Sequence, residues 1–397
     1  MEVGSRAVAP TLQNLIASRN MCDCFRACFA NRRARYRSVE LYGHRAAIRQ
    51  AASELMCRLL VMTRDLNSGA TLSRALAFAA ALGFSSDVLG QGIQLGLPIA
   101  CEPGRTCYIQ NYTDADPSAS ARDFKCGTRT YDGHNGTDFR LPSLASQRAG
   151  VEVLASASGR VLRTRDGEPD GAFGKSAREA VRDVECGNGV VVEHPERWET
   201  QYCHMASGSL VVKPGELVKA GQPLGRVGLS GLTEYPHLHF TVRHAGAVVD
   251  PFAFGAAAGA CGSGVPLWHP ALYEQLVYQE RAILNAGFAN GPVTMEQIED
   301  GSAGKELPSA SAEAIVVFVR AIGLKTGDAQ QLAIKDPLGK VIAENRSPQL
   351  QTNKAQFMLF AGRKRPSTGW ERGTYKATYV VERDGRVVLK RDMELTL

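Results

Sequence analysis

The sequence lacks several features that identify common classes of protein. Its 10 cysteines include no C-x-x-C pair, which argues against a cysteine-based zinc site. It contains no H-E-x-x-H, so a zinc-binding helix that carries its own glutamate base is excluded. The apolar run ALAFAAALGF at 75–84 is much shorter than the about 20 residues that a lasting transmembrane helix needs. What remains is an ordinary globular composition, 44% hydrophobic and 22% charged, in a chain long enough for two or three domains.

The formal net charge of +6 is unevenly distributed. Residues 1–61 carry 10 arginines and 4 acidic residues, and residues 303–397 carry 16 basic and 10 acidic residues. The middle of the chain therefore has more acidic than basic residues. Nucleic-acid-binding proteins concentrate positive charge around their binding site. Because the motifs described below lie in the acidic middle, the charge pattern argues against a nucleic-acid partner.

The N-terminal part of the chain differs from the rest, since no lysine precedes Lys125. From Met62 the sequence has two arginines, then the apolar run, then small residues, which is the pattern of a secretory signal peptide. We therefore expect a signal peptide at 62–91, translation that begins at or near Met62, and an upstream extension without function at 1–61. An internal amphipathic helix in a cytoplasmic protein would give the same pattern.

Six cysteines follow this segment, and an even number in an exported chain predicts disulfides. Six cysteines allow about 15 pairings, so the sequence leaves the connectivity open. They are Cys101, Cys107, Cys126, Cys186, Cys203 and Cys261.

Short β-type runs separated by Gly and Pro fill residues 95–262, which predicts an all-β domain. The insert at 166–186 has the composition of a surface loop. We expect a connector at 263–300, with a helix over 271–287 that ends at Gly287. A second β series at 301–397 has the spacing of a small immunoglobulin-like sandwich, in which nothing suggests catalysis.

Three segments carry candidate metal ligands. YDGHNGTDFRLP contains His134 and Asp138, TQYCHM contains His204, and PHLHFTVRH contains His237 and His239. A catalytic zinc takes three protein ligands and leaves one position open. Each segment alone is a weak signal, because a single buried histidine is more often a hydrogen-bonded core residue. Their occurrence in one glycine-punctuated β region makes a metal site the better interpretation.

Strand alternation predicts where these side chains point. His237 and His239 should share one face of a strand, with Thr241 and Arg243 continuing that face. By the same rule His204 should lie on the face of Tyr202 and Thr200, opposite Cys203. In the first segment we expect a loop that bends at Gly136 and runs into a strand.

The three segments GHNGTDF, YCHM and PHLHFTVR, with the glycine-marked hairpin before the last, resemble the signature motifs of the M23 zinc metallopeptidases. These are peptidoglycan endopeptidases of the lysostaphin/LytM type. The resemblance covers about 130–252 and implies a LytM-like antiparallel β-sheet catalytic domain with a groove, assigned here to 95–262. With the C-terminal immunoglobulin-like β-sandwich, the expected fold class is mainly β.

The resemblance also implies roles for five residues. His134, Asp138 and His239 would bind one Zn²⁺ per catalytic domain, and His204 and His237 would be catalytic without binding the metal. Tyr131 is a candidate for the tyrosine that family members place near the zinc. Which of the two catalytic histidines moves the proton is left open.

The implied function is an exported zinc endopeptidase, in the periplasm or cell envelope of a bacterium, that hydrolyses peptide cross-links of peptidoglycan. The D-Ala–diaminopimelate cross-link is the expected target, and glycine-rich bridges are an alternative. The main alternative function is a catalytically silent LytM-type activator or binding protein of other cell-wall hydrolases. A biotinyl- or lipoyl-type carrier is a weaker one, because Lys213 and Lys219 flank the hairpin turn instead of occupying it. The C-terminal domain could bind a cell-envelope protein.

Overall fold

The computed structural model describes residues 92–171 and 181–397, and these residues form a mainly β structure as predicted. The expected extension at 1–61, the expected signal peptide at 62–91 and the centre of the loop at 166–186 lie outside the described residues. No helix within the described ranges is long and apolar enough to cross a membrane.

The first part of the described chain is built on an eight-stranded antiparallel sheet with the strand order β1-β2-β9-β6-β5-β4-β7, in which β10 pairs with β9. A two-stranded sheet of β3 and β8 and the short helix α1 complete it. The elements are β1 (Tyr108–Asn111), β2 (Thr137–Arg140), α1 (Leu144–Arg148), β3 (Glu152–Leu154), β4 (Gly159–Arg165), β5 (Asn188–His194), β6 (Trp198–Met205), β7 (Leu217–Val218), β8 (Pro223–Arg226), β9 (His237–His244) and β10 (Ala247–Val249), with 3₁₀ turns at Pro195–Arg197 and Pro270–Leu272.

The central strand β9 separates an apolar face from a polar face. Leu238, Phe240 and Val242 are almost fully buried in the core beneath the sheet. The histidines His237 and His239 alternate with them and therefore share the opposite face, as the sequence predicts. The burial of alternate residues holds the register of β9, because a shift by one residue would exchange the two faces.

The six cysteines beyond the N-terminal segment form three disulfides. The pairs are Cys101–Cys107, Cys126–Cys261 and Cys186–Cys203. The prediction that these cysteines pair is therefore confirmed, and the structure supplies the connectivity that the sequence left open.

The second part of the described chain is a sandwich of two antiparallel sheets, with strand orders β11-β12-β15 and β14-β13-β16-β17. Apolar side chains from both sheets, among them Val317 and Tyr379, form one common core. Its immunoglobulin-like character stays a prediction. The elements are β11 (Ala282–Ala289), α2 (Met295–Asp300), β12 (Ala314–Leu324), β13 (Ala329–Lys335), β14 (Val341–Arg346), β15 (Lys354–Lys364), β16 (Thr374–Arg383) and β17 (Arg386–Thr396).

The helix predicted over 271–287 is wrong. Residues Ala282–Ala289 form strand β11, which pairs with β12 and opens the sandwich, so β structure begins well before residue 301. The sequence ALYEQLVYQERAILNAG has apolar residues at both helical and strand spacings. Pairing with the long apolar strand β12 decided the conformation, since tertiary packing overrides a weak local preference.

Candidate metal centre

The ligand atoms of His134, Asp138 and His239 converge on one point at the polar face of the large sheet. His134 Nε2 lies 3.1 Å from Asp138 Oδ1 and 3.2 Å from His239 Nδ1, and His239 Nδ1 lies 2.9 Å from Asp138 Oδ1. Asp138 and His239 are directly opposite each other on paired strands β2 and β9. Ligands at about 2.0–2.1 Å from a tetrahedral zinc are separated by about 3.3–3.4 Å, so this triangle is close to the size that zinc requires.

The hydrogen bonds around this triangle allow each of its three atoms to offer a lone pair to a cation. His134 Nδ1 lies 2.7 Å from the carbonyl oxygen of Tyr112, to which it donates, so the Nε2 of a neutral ring carries a lone pair. His239 Nε2 lies 3.0 Å from Asn135 Oδ1, which leaves a lone pair on Nδ1. Two imidazole lone pairs and a carboxylate oxygen repel one another unless a cation lies between them. The donor set therefore fits a zinc ion.

The third ligand is held by a neighbouring strand. Asn111 lies opposite Asp138 on β1, and its Nδ2 donates to Asp138 Oδ2 over 2.8 Å. The free oxygen Oδ1 is then left to face the two imidazoles. Such outer contacts fix the orientation of a ligand, and their loss typically reduces metal affinity by about 10–100-fold.

Gly136 lets the first motif approach β9 closely. The chain leaves a turn at His134 and enters β2 at Thr137, as the sequence predicts. A Cβ at position 136 would lie 2.7 Å from both His239 Nε2 and the carbonyl oxygen of Phe240. Any side chain at this position would therefore displace a candidate ligand or the backbone of β9.

His204 and His237 form a second pair beside the triangle. Their ring centroids are 4.6 Å apart, and His237 Nε2 lies 3.4 Å from Asp138 Oδ1. The Nδ1 atoms of the two rings lie 2.8 Å and 2.9 Å from the carbonyl oxygens of Ser230 and Tyr235. If each Nδ1 carries the proton, each Nε2 keeps a lone pair that can accept one. The ligand atoms of His204, His237 and His239 also lie close enough to hold a metal together.

The predicted face of His204 is wrong, although the residue does reach the site. Strict alternation would place its ring with Tyr202, which is fully buried in the core. Instead His204 has a φ of 61°, and β6 contains a bulge in which Cys203 and His204 together oppose Gly189 of β5. The bulge turns Cys203 and His204 to the same side, and Met205 then returns to the core.

Burial sets the ionisation of this group of residues. Burial lowers the pKa of His204 well below its usual value, and the neighbouring rings of His237 and His239 lower it further. Burial alone would raise the pKa of Asp138, but the adjacent imidazoles of His134 and His237 hold it well below its usual range. At neutral pH the site therefore presents a neutral His204 and an ionised Asp138.

A tyrosine at the site was missed by the sequence interpretation. Tyr131, the proposed candidate, is 54% exposed and stacks against His134 with centroids 4.5 Å apart. Tyr235 is the tyrosine beside the pair His204 and His237, since its ring lies 4.8 Å from that of His237 and its hydroxyl lies 3.2 Å from Asn111 Nδ2. Its position two residues before H-x-H in EYPHLH is the signal that could have identified it.

Residues 132–251 match the sequence model of Peptidase family M23. This segment is an M23 peptidase domain. The matched region contains all five predicted site residues, and it corresponds to the resemblance that the motifs indicated.

Curated relatives are similar to part of this chain. The chain is 33% identical over 109 residues to the peptidoglycan DD-endopeptidase ShyB of Vibrio cholerae. The aligned region covers 28% of this chain and 20% of ShyB. It is 32% identical over 114 residues to the cell division protein DipM of Caulobacter vibrioides. This aligned region covers 29% of this chain and 17% of DipM. The chain thus spans about a fifth of the length of these relatives.

Two solved structures are similar to part of the chain. One is a zinc-containing peptidase from Vibrio cholerae, at 28% identity and a TM-score of 0.24, covering 36% of this chain and 39% of that chain. The other is the catalytic domain of lysostaphin from Staphylococcus simulans, at 23% identity and a TM-score of 0.23, covering 36% of this chain and 86% of that chain.

Proposed function

We propose that this chain is an exported zinc metallopeptidase that hydrolyses peptide cross-links of bacterial peptidoglycan as a D,D-endopeptidase. The observation that carries the proposal is the convergence of His134 Nε2, Asp138 Oδ1 and His239 Nδ1 within 3.2 Å of one another, beside the pair His204 and His237. The two further histidines beside three candidate ligands favour an enzyme over a binding module.

His134, Asp138 and His239 would hold the zinc. A zinc ion held by these two imidazoles and one carboxylate would supply Lewis acidity that makes the attacking water easier to deprotonate. The outer contacts of His134 with Tyr112, of Asp138 with Asn111 and of His239 with Asn135 orient the three side chains before the metal arrives.

His204 and His237 would move protons and stabilise charge during hydrolysis. Their Nδ1 atoms are oriented by backbone carbonyl groups, which leaves each Nε2 available to accept a proton from the attacking water. The protonated ring can then donate a hydrogen bond to the oxyanion that forms on the peptide carbonyl. The low pKa of His204 favours the neutral, proton-accepting form at the start of the cycle.

The substrate and location are supported by two observations of different kinds. ShyB, which is 33% identical to this chain over 109 residues, is a peptidoglycan DD-endopeptidase. The three disulfides fit a protein that folds in an oxidising compartment, as exported proteins do. The C-terminal sandwich could bind a cell-envelope protein.

The silent activator is the alternative function, and DipM, a cell division protein, is among the similar proteins. Digestion of purified peptidoglycan sacculi with and without a chelator distinguishes the two, with the released fragments identified by mass. We expect fragments cut at the D-Ala–diaminopimelate bond that disappear with chelator and return with added zinc. Intact sacculi in the presence of zinc, together with unchanged zinc binding, would favour the activator.

A further inference from the structure

A small pocket lies beside the catalytic pair, where the large sheet meets the C-terminal sandwich. Its volume is about 70 Å³, more than the about 30 Å³ that one water molecule occupies. The residues on its wall that matter here are Arg140, Pro142, Glu234, Tyr235, Glu299 and Arg320. Arg320 belongs to β12 of the sandwich and Arg140 to β2 of the M23 domain, so the pocket exists only because the two parts pack together.

Arg140 is a buried cation without an acidic partner. Its side chain donates to the amide oxygens of Gln110 and Gln356, each over 3.0 Å, and its guanidinium lies 4.1 Å from the centroid of the Tyr235 ring. Its Nε–H is buried and has no hydrogen-bond partner. Among the described residues it forms no ion pair, although only 3% of its surface is exposed.

Arg320 is the second buried cation of the pocket and is only 1% exposed. It donates from Nε to Asn285 Oδ1 over 2.8 Å and from Nη2 to the carbonyl oxygen of Pro142 over 2.8 Å. Its one acidic contact is Glu299 at 3.4 Å, a residue whose side chain is 43% exposed. Burial, together with the nearby charge of Arg140, lowers the pKa of Arg320 to about 9.

Two buried guanidinium groups with so little compensating charge are costly to the fold. A buried charge that lacks a partner is destabilising by several kcal/mol, so such groups are normally paired or bound to a ligand. Guanidinium groups bind carboxylates through two parallel hydrogen bonds, which makes a carboxylate the natural counter-ion. The pocket is large enough to hold one carboxylate group.

We propose that the Arg140–Arg320 pocket binds a carboxylate group of the peptide substrate and so selects which cross-linked peptides are cut. This inference rests on the proposed function, since it needs a peptide that spans the metal centre. It makes Arg140 and Arg320 specificity-determining residues, and it gives the C-terminal sandwich a direct part in substrate binding.

The position of the pocket suits this role. Arg140 lies two residues after Asp138 on β2, and it is directly opposite His237 in the register of the sheet. Residues two apart on a strand are separated by about 6.5–7 Å, which an extended peptide also spans with two residues. The ring of Tyr235 contacts residues of both sites, since it lies 4.8 Å from the ring of His237 and 4.1 Å from the guanidinium group of Arg140.

Two acidic residues line the same pocket. Glu234 is exposed, and Glu299 is partly exposed, so both lie nearer to solvent than the two arginines. The free end of a diamino acid carries an ammonium group beside its carboxylate. Its carboxylate could bind the two arginines while its ammonium group binds the two glutamates. A terminal carboxylate without an ammonium group would use the arginines alone.

The test compares matched peptides on the full protein loaded with zinc. The probes are a synthetic cross-linked stem peptide with its carboxylates free, one with the terminal D-alanine carboxylate amidated, and one with the free diaminopimelate carboxylate amidated. We measure kcat and KM for cleavage of each, and the affinity of each by calorimetry. We expect one of the amidated peptides to bind about tenfold more weakly, and its identity shows which carboxylate enters the pocket.

Gln356→Glu tests the arginines without removing them, because it places a carboxylate against Arg140 that competes with the substrate. We expect the preference for the free carboxylate to fall from about tenfold to less than about threefold. Gln351→Glu, an exposed change on the same domain, is the control and should keep the full preference. A purely structural role of Arg140 would change the binding of all three peptides by the same factor.

The outcomes separate this inference from the proposed function. Cleavage of all three peptides with equal KM and equal affinity overturns the pocket and leaves the peptidase intact. A preference in affinity without cleavage of any peptide supports the pocket and overturns the peptidase. A preference that survives Gln356→Glu overturns the assignment to these arginines.

Discussion

Cys203 and His204 are consecutive residues on β6, yet both side chains lie on the polar face of the sheet. The left-handed backbone of His204, with a φ of 61°, makes this possible by inserting a bulge opposite Gly189. A non-glycine residue in this conformation costs about 1–3 kcal/mol and persists where the surrounding structure imposes it. Here the Cys186–Cys203 disulfide and the contact of His204 Nδ1 with Ser230 hold the segment on both sides. The strain places an imidazole beside the metal site.

The first prediction concerns a metal ligand. His239→Ala removes one of three proposed ligand atoms, so we expect the protein to lose bound zinc and cross-link hydrolysis together. Metal content per protein molecule, measured by elemental analysis after dialysis, checks the result. His269→Ala, an exposed histidine, is the control. Full zinc occupancy in His239→Ala would contradict the ligand assignment.

The second prediction concerns the proton-accepting pair. His204→Asn keeps a residue that tolerates left-handed backbone, so the bulge should persist. We expect zinc content to remain as in the unchanged protein, while hydrolysis slows by about 10²–10⁴-fold. The comparison of rate with metal content is the measurement. A near-normal rate at full zinc occupancy would remove His204 from the mechanism.

The third prediction concerns the space at Gly136. Gly136→Ala places a methyl group 2.7 Å from His239 Nε2 and from the backbone oxygen of Phe240. Displacing the backbone of β9 would break its pairing with β2 and β6. We therefore expect weaker zinc binding, measured as loss of metal to a weak competing chelator. At Gly291 an added Cβ meets nothing within 4 Å, which makes Gly291→Ala the matched control. Equal zinc retention in both variants would show that the close approach is not needed.

The fourth prediction concerns the pH dependence of stability. Asp250 accepts a hydrogen bond from the Phe252 amide over 2.8 Å, while its Oδ2 is buried without a partner. Burial raises the pKa of this carboxyl to about 7, compared with about 3.9 in an unfolded chain. The folded state therefore keeps a proton that the unfolded state has released. The stability from this group is complete below about pH 4 and is lost as the pH rises through 7.

Asp250→Asn should remove this dependence, because an amide does not titrate. We expect the loss in free energy of unfolding between pH 5 and pH 8 to be smaller in the variant by about 2–3 kcal/mol. Urea unfolding at both pH values measures it, with Asp384→Asn at an exposed hairpin turn as the control. The same pH dependence in Asp250→Asn and the unchanged protein would show that Asp250 is already ionised when folded.

The structure brings together the five residues that the motifs indicated, because each motif is local. H-x-H on a strand places two rings on one face by backbone geometry alone, and β9 follows this rule. The glycine in GHNGTDF indicated a bend, and the structure shows why a side chain is not tolerated there. The even number of cysteines indicated disulfides, because cysteines that lie close together pair in an oxidising compartment.

The errors arose where distant residues decide the local conformation. Alternation failed at His204 because a bulge depends on the pairing of β5 and β6, which spacing within one strand does not reveal. The helix predicted over 271–287 failed because β12 supplied a partner strand. Tyr235 and Asn111 were missed because their importance comes from the residues that they contact, His237 and Asp138.

The sequence by itself determined the β character of the chain, the candidate donor set and the family of the central domain, because each depends on residue types at fixed short spacings. The tertiary structure alone decided the disulfide pairs, the left-handed turn at His204, and the meeting of Arg140 with Arg320 across two domains. These depend on contacts between residues far apart in the chain. Their free energy comes from burial and pairing, which exist only after the sheets have packed.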